Sequence, residues 1–231
     1  MAEIWAGLAQ ALTLIMTLNK ELLGIIFLSL YVSGAAVLIA AALGISIGAW
    51  IGIRDSRRLR WLEKTIYTLM GLPPVVAGLL IYLLLANHGP LGPLDLLFSP
   101  AAMIIAQTVL AVPIITGLTM VAVRDKNSEV RETAVTLGAS AKMVAFTVIK
   151  EAKRPISGAV IAGFGRVIAE VGAVMMVGGN IQGHTRVMTT AIVLETRKGN
   201  FELAIGLGIV LLALAFIINS LLYTVQREGG N

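Results

Sequence analysis

The 231 residues include no cysteine and only two histidines, His88 and His184. Disulfides, thiolate metal sites and a cysteine nucleophile are thereby excluded, and a histidine-based metal cluster has too few imidazoles. No catalytic and no metal-binding residue stands out. Charge is scarce as well, at 13% of residues, about half the ~25% of an ordinary soluble domain. With 57% hydrophobic residues and a mean hydropathy of +0.88, too little polar surface remains to coat a globule in water. A soluble enzyme is excluded. No Gly-x4-Gly-Lys-Ser/Thr phosphate loop occurs, so a nucleotide would have to be bound by another chain.

What the sequence does have is long uncharged stretches. Between Glu21 and Arg54 lie 32 residues without a charge, between Lys64 and Asp95 30, between Asp95 and Arg124 28, and between Glu202 and Arg227 24. A helix crosses the ~30 Å hydrocarbon layer with about 20 apolar residues, because the bilayer offers backbone groups no other partner. A fifth stretch, 156–177, is interrupted only by Arg166 and Glu170. The pattern predicts an all-α integral membrane protein with five spans, at about 22–52, 62–86, 101–123, 156–178 and 202–225. Residues 1–20 form a separate segment before a membrane domain at 21–231. Ile4, Leu8, Leu12 and Ile15 recur there at helical spacing, which predicts an interfacial helix against lipid or another subunit. With no basic n-region or cleavage site, the segment is not expected to be a removable signal.

Thirteen of the 18 basic residues fall after span 1, after span 3 or at Arg227. The positive-inside rule then places the N-terminus outside and the C-terminus in the cytoplasm of a multi-pass cell-membrane protein. The excess of base reports this topology. Nucleic-acid binding is not expected, since no basic face interleaved with stacking aromatics appears.

The cytoplasmic segment at about 126–154 is far longer than a bundle connection requires. Asn127 or Ser128 is expected to cap a first short helix, Gly138 to interrupt it, and Ser140 to cap a second carrying Val144, Val148 and Ala152. Two readings stand: a knob offered to a cytoplasmic partner, or a hairpin packed on the bundle's own underside.

Inside the membrane, Pro73-Pro74 lie about 11 residues into span 2, roughly 17 Å at 1.5 Å per residue. Proline lacks an N–H and clashes with the preceding turn, and Gly71 tolerates unusual backbone angles. The span is expected to break there. A helix restarting at Pro73 would turn the N–H groups of Val75, Val76 and Ala77 toward an anion path; a kink that merely shapes the bundle is the other reading. Arg166 and Glu170 are four apart, hence on one face of a continuous helix, and unpaired each would cost about 2.5–3.5 kcal/mol. They form either a structural pair or part of the path, where Glu170 would repel the anion that Arg166 attracts. Gly44, Gly48 and Gly52 are a small-residue seam for packing. Pro113 is expected to kink span 3, and Gln107 to hydrogen-bond across helices. Met175 and Met176 read as core filling. Between Arg186 and Arg197, residues 188–194 form an apolar patch, read as a short helix closing the outer mouth or as a solvated loop with an anchoring helix.

Glu132-Thr133-Ala134, followed by Leu137, Gly138 and Ala139 and then by Phe146 and Ile149, resembles the EAA loop of ABC importer permeases. Thr133 replaces the family's second alanine, and Lys150-Glu151 its usual leucine-proline. Met70 to Gly78, and the run from Gly165 through Glu170-Val171-Gly172 to Asn180, are similar to the oxyanion branch for sulfate, molybdate and tungstate. The stretch 170–201 most resembles tungstate permeases. The resemblance implies a type I importer permease with a coupling helix at Glu132–Ala139, and a gate or path at Gly71, Pro73, Pro74, Val75, Val76, Arg166 and Glu170. It further implies a homodimer in lipid, two ATP-binding subunits that hold ATP and Mg2+, and an extracytoplasmic oxyanion-binding protein. This chain would carry no cofactor and no catalysis. A permease for molybdate or sulfate, or an ATP-independent secondary carrier, remains as the alternative, although no inverted repeat supports a carrier.

Overall fold

The computed structural model describes residues 20–54 and 57–228, together with Trp5, Ala9 and Thr13. The interfacial helix expected over 1–20 therefore lies almost entirely outside the described residues. Every regular element among the described residues is helical: α1 Lys20–Ile53, α2 Arg60–Met70, α3 Pro74–Leu85, α4 Pro100–Thr136, α5 Ala141–Glu151, α6 Lys153–Ile168, α7 Gly172–Gly178, α8 Met188–Arg197 and α9 Phe201–Glu228. Three of these, α1, α4 and the Phe201–Leu221 part of α9, are long and apolar enough to cross a membrane. The pairs α2–α3 and α6–α7 raise the count to five if each bent pair is one span. All five fall where the uncharged stretches put them.

Two boundaries differ from expectation. The cytoplasmic segment does not begin with a capped helix at Asn127, because α4 runs without interruption to Thr136. The side chains expected to cap are committed elsewhere: the Asn127 amide donates to Ile53 O (3.4 Å) and Ser128 Oγ donates to Asp125 O (2.7 Å). Such bonds satisfy the polar groups within a helix rather than ending it. Span 4 is not continuous either, since α6 stops at Ile168 and α7 starts at Gly172. Pro113, the residue expected to kink span 3, lies inside α4.

The chain divides into two compact units, one of residues 1–36, 73–107 and 167–220, the other of 37–72, 108–166 and 221–231. In the second unit the glycine seam does what its spacing predicts. A Cβ on Gly48 would stand 2.5 Å from Thr116 O, and one on Gly52 2.8 Å from Met120 O, so the backbones of α1 and α4 approach to a distance only glycine allows. Ile51, Ile66 and Met120 form a buried cluster with α2. At its edge Arg124 grips both carboxylate oxygens of Glu63, at 2.5 and 3.2 Å. In the first unit α3 lies on α7 equally closely, a Cβ on Gly78 falling 2.7 Å from Ala173 Cα. Helix α8 is anchored in the first unit. Met188, Thr189, Thr190 and Ala191 are buried, Leu22, Ala191 and Leu207 form one cluster, and the Met188 N–H donates to Ser29 Oγ (2.9 Å).

Candidate functional site

The elbow after α4 is built by a glycine. Gly138 has φ +79°, a left-handed conformation that costs an L side chain about 1–2 kcal/mol. The Ala139 N–H donates to Ala134 O and the Gly138 N–H to Val135 O, both at 2.9 Å. These are the two bonds of a Schellman cap, which satisfy carbonyls at the helix end that would otherwise lack donors. Two residues on, Ser140 starts α5 by accepting from the Met143 N–H (3.4 Å), as its sequence position predicts.

The segment has one face packed on the second unit and one face exposed. Val144, Val148 and Ala152 are buried with Ala49, Val123 and Ile156, and Val130, Ala134 and Ala139 pack against them. The other face is bare and apolar: Leu137 is 82% exposed, Phe146 71% and Met143 61%. Leu137 and Met143 border a cleft of about 550 Å³ that Thr133, Ala134, Gly138 and Glu129 also line. Glu132 is exposed too. Water alone does not account for three large hydrophobic side chains together at the tip of a charged segment.

The second candidate region lies in the first unit, where the breaks of spans 2 and 4 meet. Helix α2 ends at Met70; Gly71, Leu72 and Pro73 are not helical; α3 restarts with Pro74 at its first position. The break is as predicted, but its first-turn N–H groups are not all turned to a path. Val76 and Ala77 both donate to Pro73 O, at 3.0 and 3.1 Å. Across from it, a Cβ on Gly172 would lie 3.0 Å from Val75 Cγ2, 3.5 Å from Glu170 Oε1 and 3.8 Å from Val75 N. The starts of α3 and α7 therefore converge on Gly172.

Glu170 occupies the break of span 4, between the end of α6 and the start of α7, rather than a continuous helix. Arg166 belongs to the last turn of α6. Glu170 is 4% exposed and well bonded. Its N–H donates to Val167 O (3.1 Å), its Oε1 accepts from the Ala173 N–H (3.2 Å), and its carbonyl accepts from Thr189 Oγ1 (2.8 Å). An internal carboxylate thus satisfies the start of α7. Gln107 does bond across helices, its amide donating to Val167 O at 3.0 Å. The braces Thr189 and Gln107 belong to this site although only the second was singled out by sequence. Thr189 had no signal beyond lying in an apolar patch.

The loop after α7 supplies a third, charged region. Glu21, Gln182, Arg186, Glu195 and Lys198 line a cleft of about 320 Å³. Gln182 donates to Glu21 (2.7 Å) and Lys198 to Glu195 (2.8 Å). The Lys198 bond, with a further contribution from Asn200, holds the Glu195 carboxyl below its ordinary value against the opposing effect of burial. His88 and His184 are both exposed.

Comparison with known proteins puts these features in a family. Residues 44–228, well over half the chain, match the model described as "Binding-protein-dependent transport system inner membrane component". The chain is 42% identical to the "Tungstate uptake system permease protein TupB" of Peptoclostridium acidaminophilum, covering 99% of this chain and 100% of that one. It is 44% identical to a "Probable anion ABC transporter permease protein" of Haloferax volcanii, covering 87% and 88%. Among solved structures it resembles an amino acid ABC transporter chain, with a TM-score of 0.65 at 15% identity and coverage of 93% and 94%, a likeness of fold. A multi-pass helical chain matched along nearly its whole length in this way belongs to the family of binding-protein-dependent inner-membrane components, the permease subunits of ABC importers.

Proposed function

We propose that the chain forms the membrane path for a tetrahedral oxyanion, tungstate foremost, in an importer of two permease copies, two ATP-binding subunits and one extracytoplasmic binding protein. The full-length match to a tungstate uptake permease supports the substrate. Coupling rests on one structural observation, the bare apolar tip at Leu137, Met143 and Phe146. Fully burying such a side chain stabilises by about 1.5–3 kcal/mol, so three of them in a groove of the ATPase supply several kcal/mol of attachment. Glu132, Thr133 and Ala134 sit on the same elbow and complete the handle. ATP and Mg2+ belong to the partner, and the N-terminus faces outside, with the basic elbow segment in the cytoplasm.

The meeting of α3 and α7 is the gate. Gly71 and Pro73 free α3 to tilt, and Val75 and Val76, 58% and 43% exposed, present the surface that the anion passes. Glu170 braces this gate and is not a ligand: a dianion brought to it would meet a buried carboxylate. Arg166 contributes to the path at most through its field.

The test is reconstitution in liposomes with the ATPase and binding protein. ATP hydrolysis should rise with tungstate-loaded binding protein, and Leu137→Ser with Phe146→Ser should abolish that rise while leaving the permease folded. A response to molybdate or sulfate but not tungstate would reassign the substrate. Anion uptake by the permease alone would make it a carrier.

A further inference from the structure

A cleft of about 540 Å³ opens between the end of α1 and the α4–α5 elbow, within the second unit. Its polar lining is Arg54, Asn127 and Arg131, and its apolar lining includes Ile53, Ala141 and Val144. Among the described residues the two arginines are the only charged ones that line it, and neither is held by a carboxylate. Asn127 is 8% exposed. Its Nδ2 is spent on Ile53 O, and its Oδ1 is buried without a partner. A buried amide oxygen left unpaired costs about 1–3 kcal/mol, so this lining suits a ligand that brings both a hydrogen-bond donor and a negative charge. The place is equally informative. Arg54 is the first charge after the 32 uncharged residues of α1, and its guanidinium lies 4.7 Å from the ring centre of Trp50. A tryptophan and an arginine at the end of an apolar helix mark the membrane–water interface.

We propose that this cleft holds the headgroup of an anionic phospholipid, its phosphate against Arg54 and Arg131 and a headgroup hydroxyl donating to Asn127 Oδ1. The apolar lining takes the glycerol backbone and the start of the acyl chains, which a free phosphate could not fill. Because α1 and the elbow both form the cleft, the lipid pins the elbow to the membrane edge. This does not depend on which substrate the permease carries.

The experiment uses Trp50 as reporter. The chain has three tryptophans, so Trp5→Phe with Trp61→Phe leaves it alone. The protein is placed in bilayers, and quenching by brominated phosphatidylglycerol is compared with that by brominated phosphatidylcholine; the ratio gives relative affinity at the site. Each interfacial Arg or Lys contributes about fivefold in affinity for anionic lipid, so Arg54→Gln with Arg131→Gln should lower the ratio about thirtyfold. Ala141→Phe, which fills the cleft without altering charge, should lower it too and serves if the double variant does not fold. The exposed pair Lys142→Gln with Lys153→Gln should leave it unchanged. Equal quenching by both lipids in the parent protein would overturn the proposal. So would an equal loss in the Lys142/Lys153 control, which would mean diffuse attraction, or displacement by millimolar inorganic phosphate, which would mean a free anion is the occupant.

Discussion

Replacing Gly48 by alanine adds one carbon where the structure has no room for it. The new Cβ would lie 2.5 Å from Thr116 O, 2.8 Å from Thr119 Cβ and 3.1 Å from Met120 N. A carbon–oxygen contact normally relaxes to about 3.3 Å, so roughly 0.8 Å must be found. Two of the three obstructing atoms are backbone of α4, which cannot rotate aside as a side chain would. The helices must separate, and Gly44 and Gly52 in the same seam lose contact together. Overpacking of this kind costs about 1–3 kcal/mol, offset by about 0.5–1 kcal/mol for removing a helix glycine. The net loss is about 1 kcal/mol, within a range of about 0–2.5, or roughly fivefold in the folded-to-unfolded ratio. Gly34 on the same helix is the control, because nothing lies within 4 Å of its Cβ position; Gly34→Ala should be neutral or slightly stabilising. Reversible unfolding in mixed micelles of rising dodecyl sulfate content, followed by circular dichroism, ranks Gly48→Ala below Gly52→Ala, Gly44→Ala and Gly34→Ala in stability. If Gly48→Ala unfolds with Gly34→Ala, the close approach of α1 and α4 is not as described.

Three further outcomes follow from the sites. Glu170→Ala leaves the Ala173 N–H without its acceptor in a buried break and should lose about 1–3 kcal/mol, whereas Glu170→Gln keeps an oxygen there and should lose much less; the same unfolding assay separates them, and equal losses would show that the carboxylate's charge matters more than its capping bond. A Cβ at Gly138 meets no atom within 4 Å, so the cost of Gly138→Ala is the left-handed backbone alone, about 1–2 kcal/mol, and cross-linking from position 137 to the ATPase should fall with it. Because Lys198 depresses the Glu195 carboxyl, its contribution is present at neutral pH and is lost as pH falls through the folded-state value, below the ordinary 4.5. The stability gap between the protein and Glu195→Gln should therefore be constant near pH 7 and close on acidification, as a pH series of melting curves would record; a gap that widens in acid contradicts this sign.

The spans, the break at Gly71–Pro73, the glycine seam and the turn at Gly138 were legible in the amino-acid sequence because each depends on local covalent chemistry. Charge cannot be left in hydrocarbon, proline cannot donate, and a positive φ favours glycine at Gly138 regardless of the distant surroundings. The helix from Pro100 to Thr136, the break around Glu170 and the burial of α8 were not legible, because their causes are far away in the chain. Asn127 has its amide on Ile53 O, Glu170 has its carbonyl bonded by Thr189, and Met188 is held by Ser29. A capping residue looks the same in sequence whether it ends a helix or reaches across to another. Which it does depends on the partner that packing brings within about 3 Å, and only the tertiary structure decides that. By the same cause the two breaks, legible and illegible, meet at Gly172 and Val75, almost a hundred residues apart.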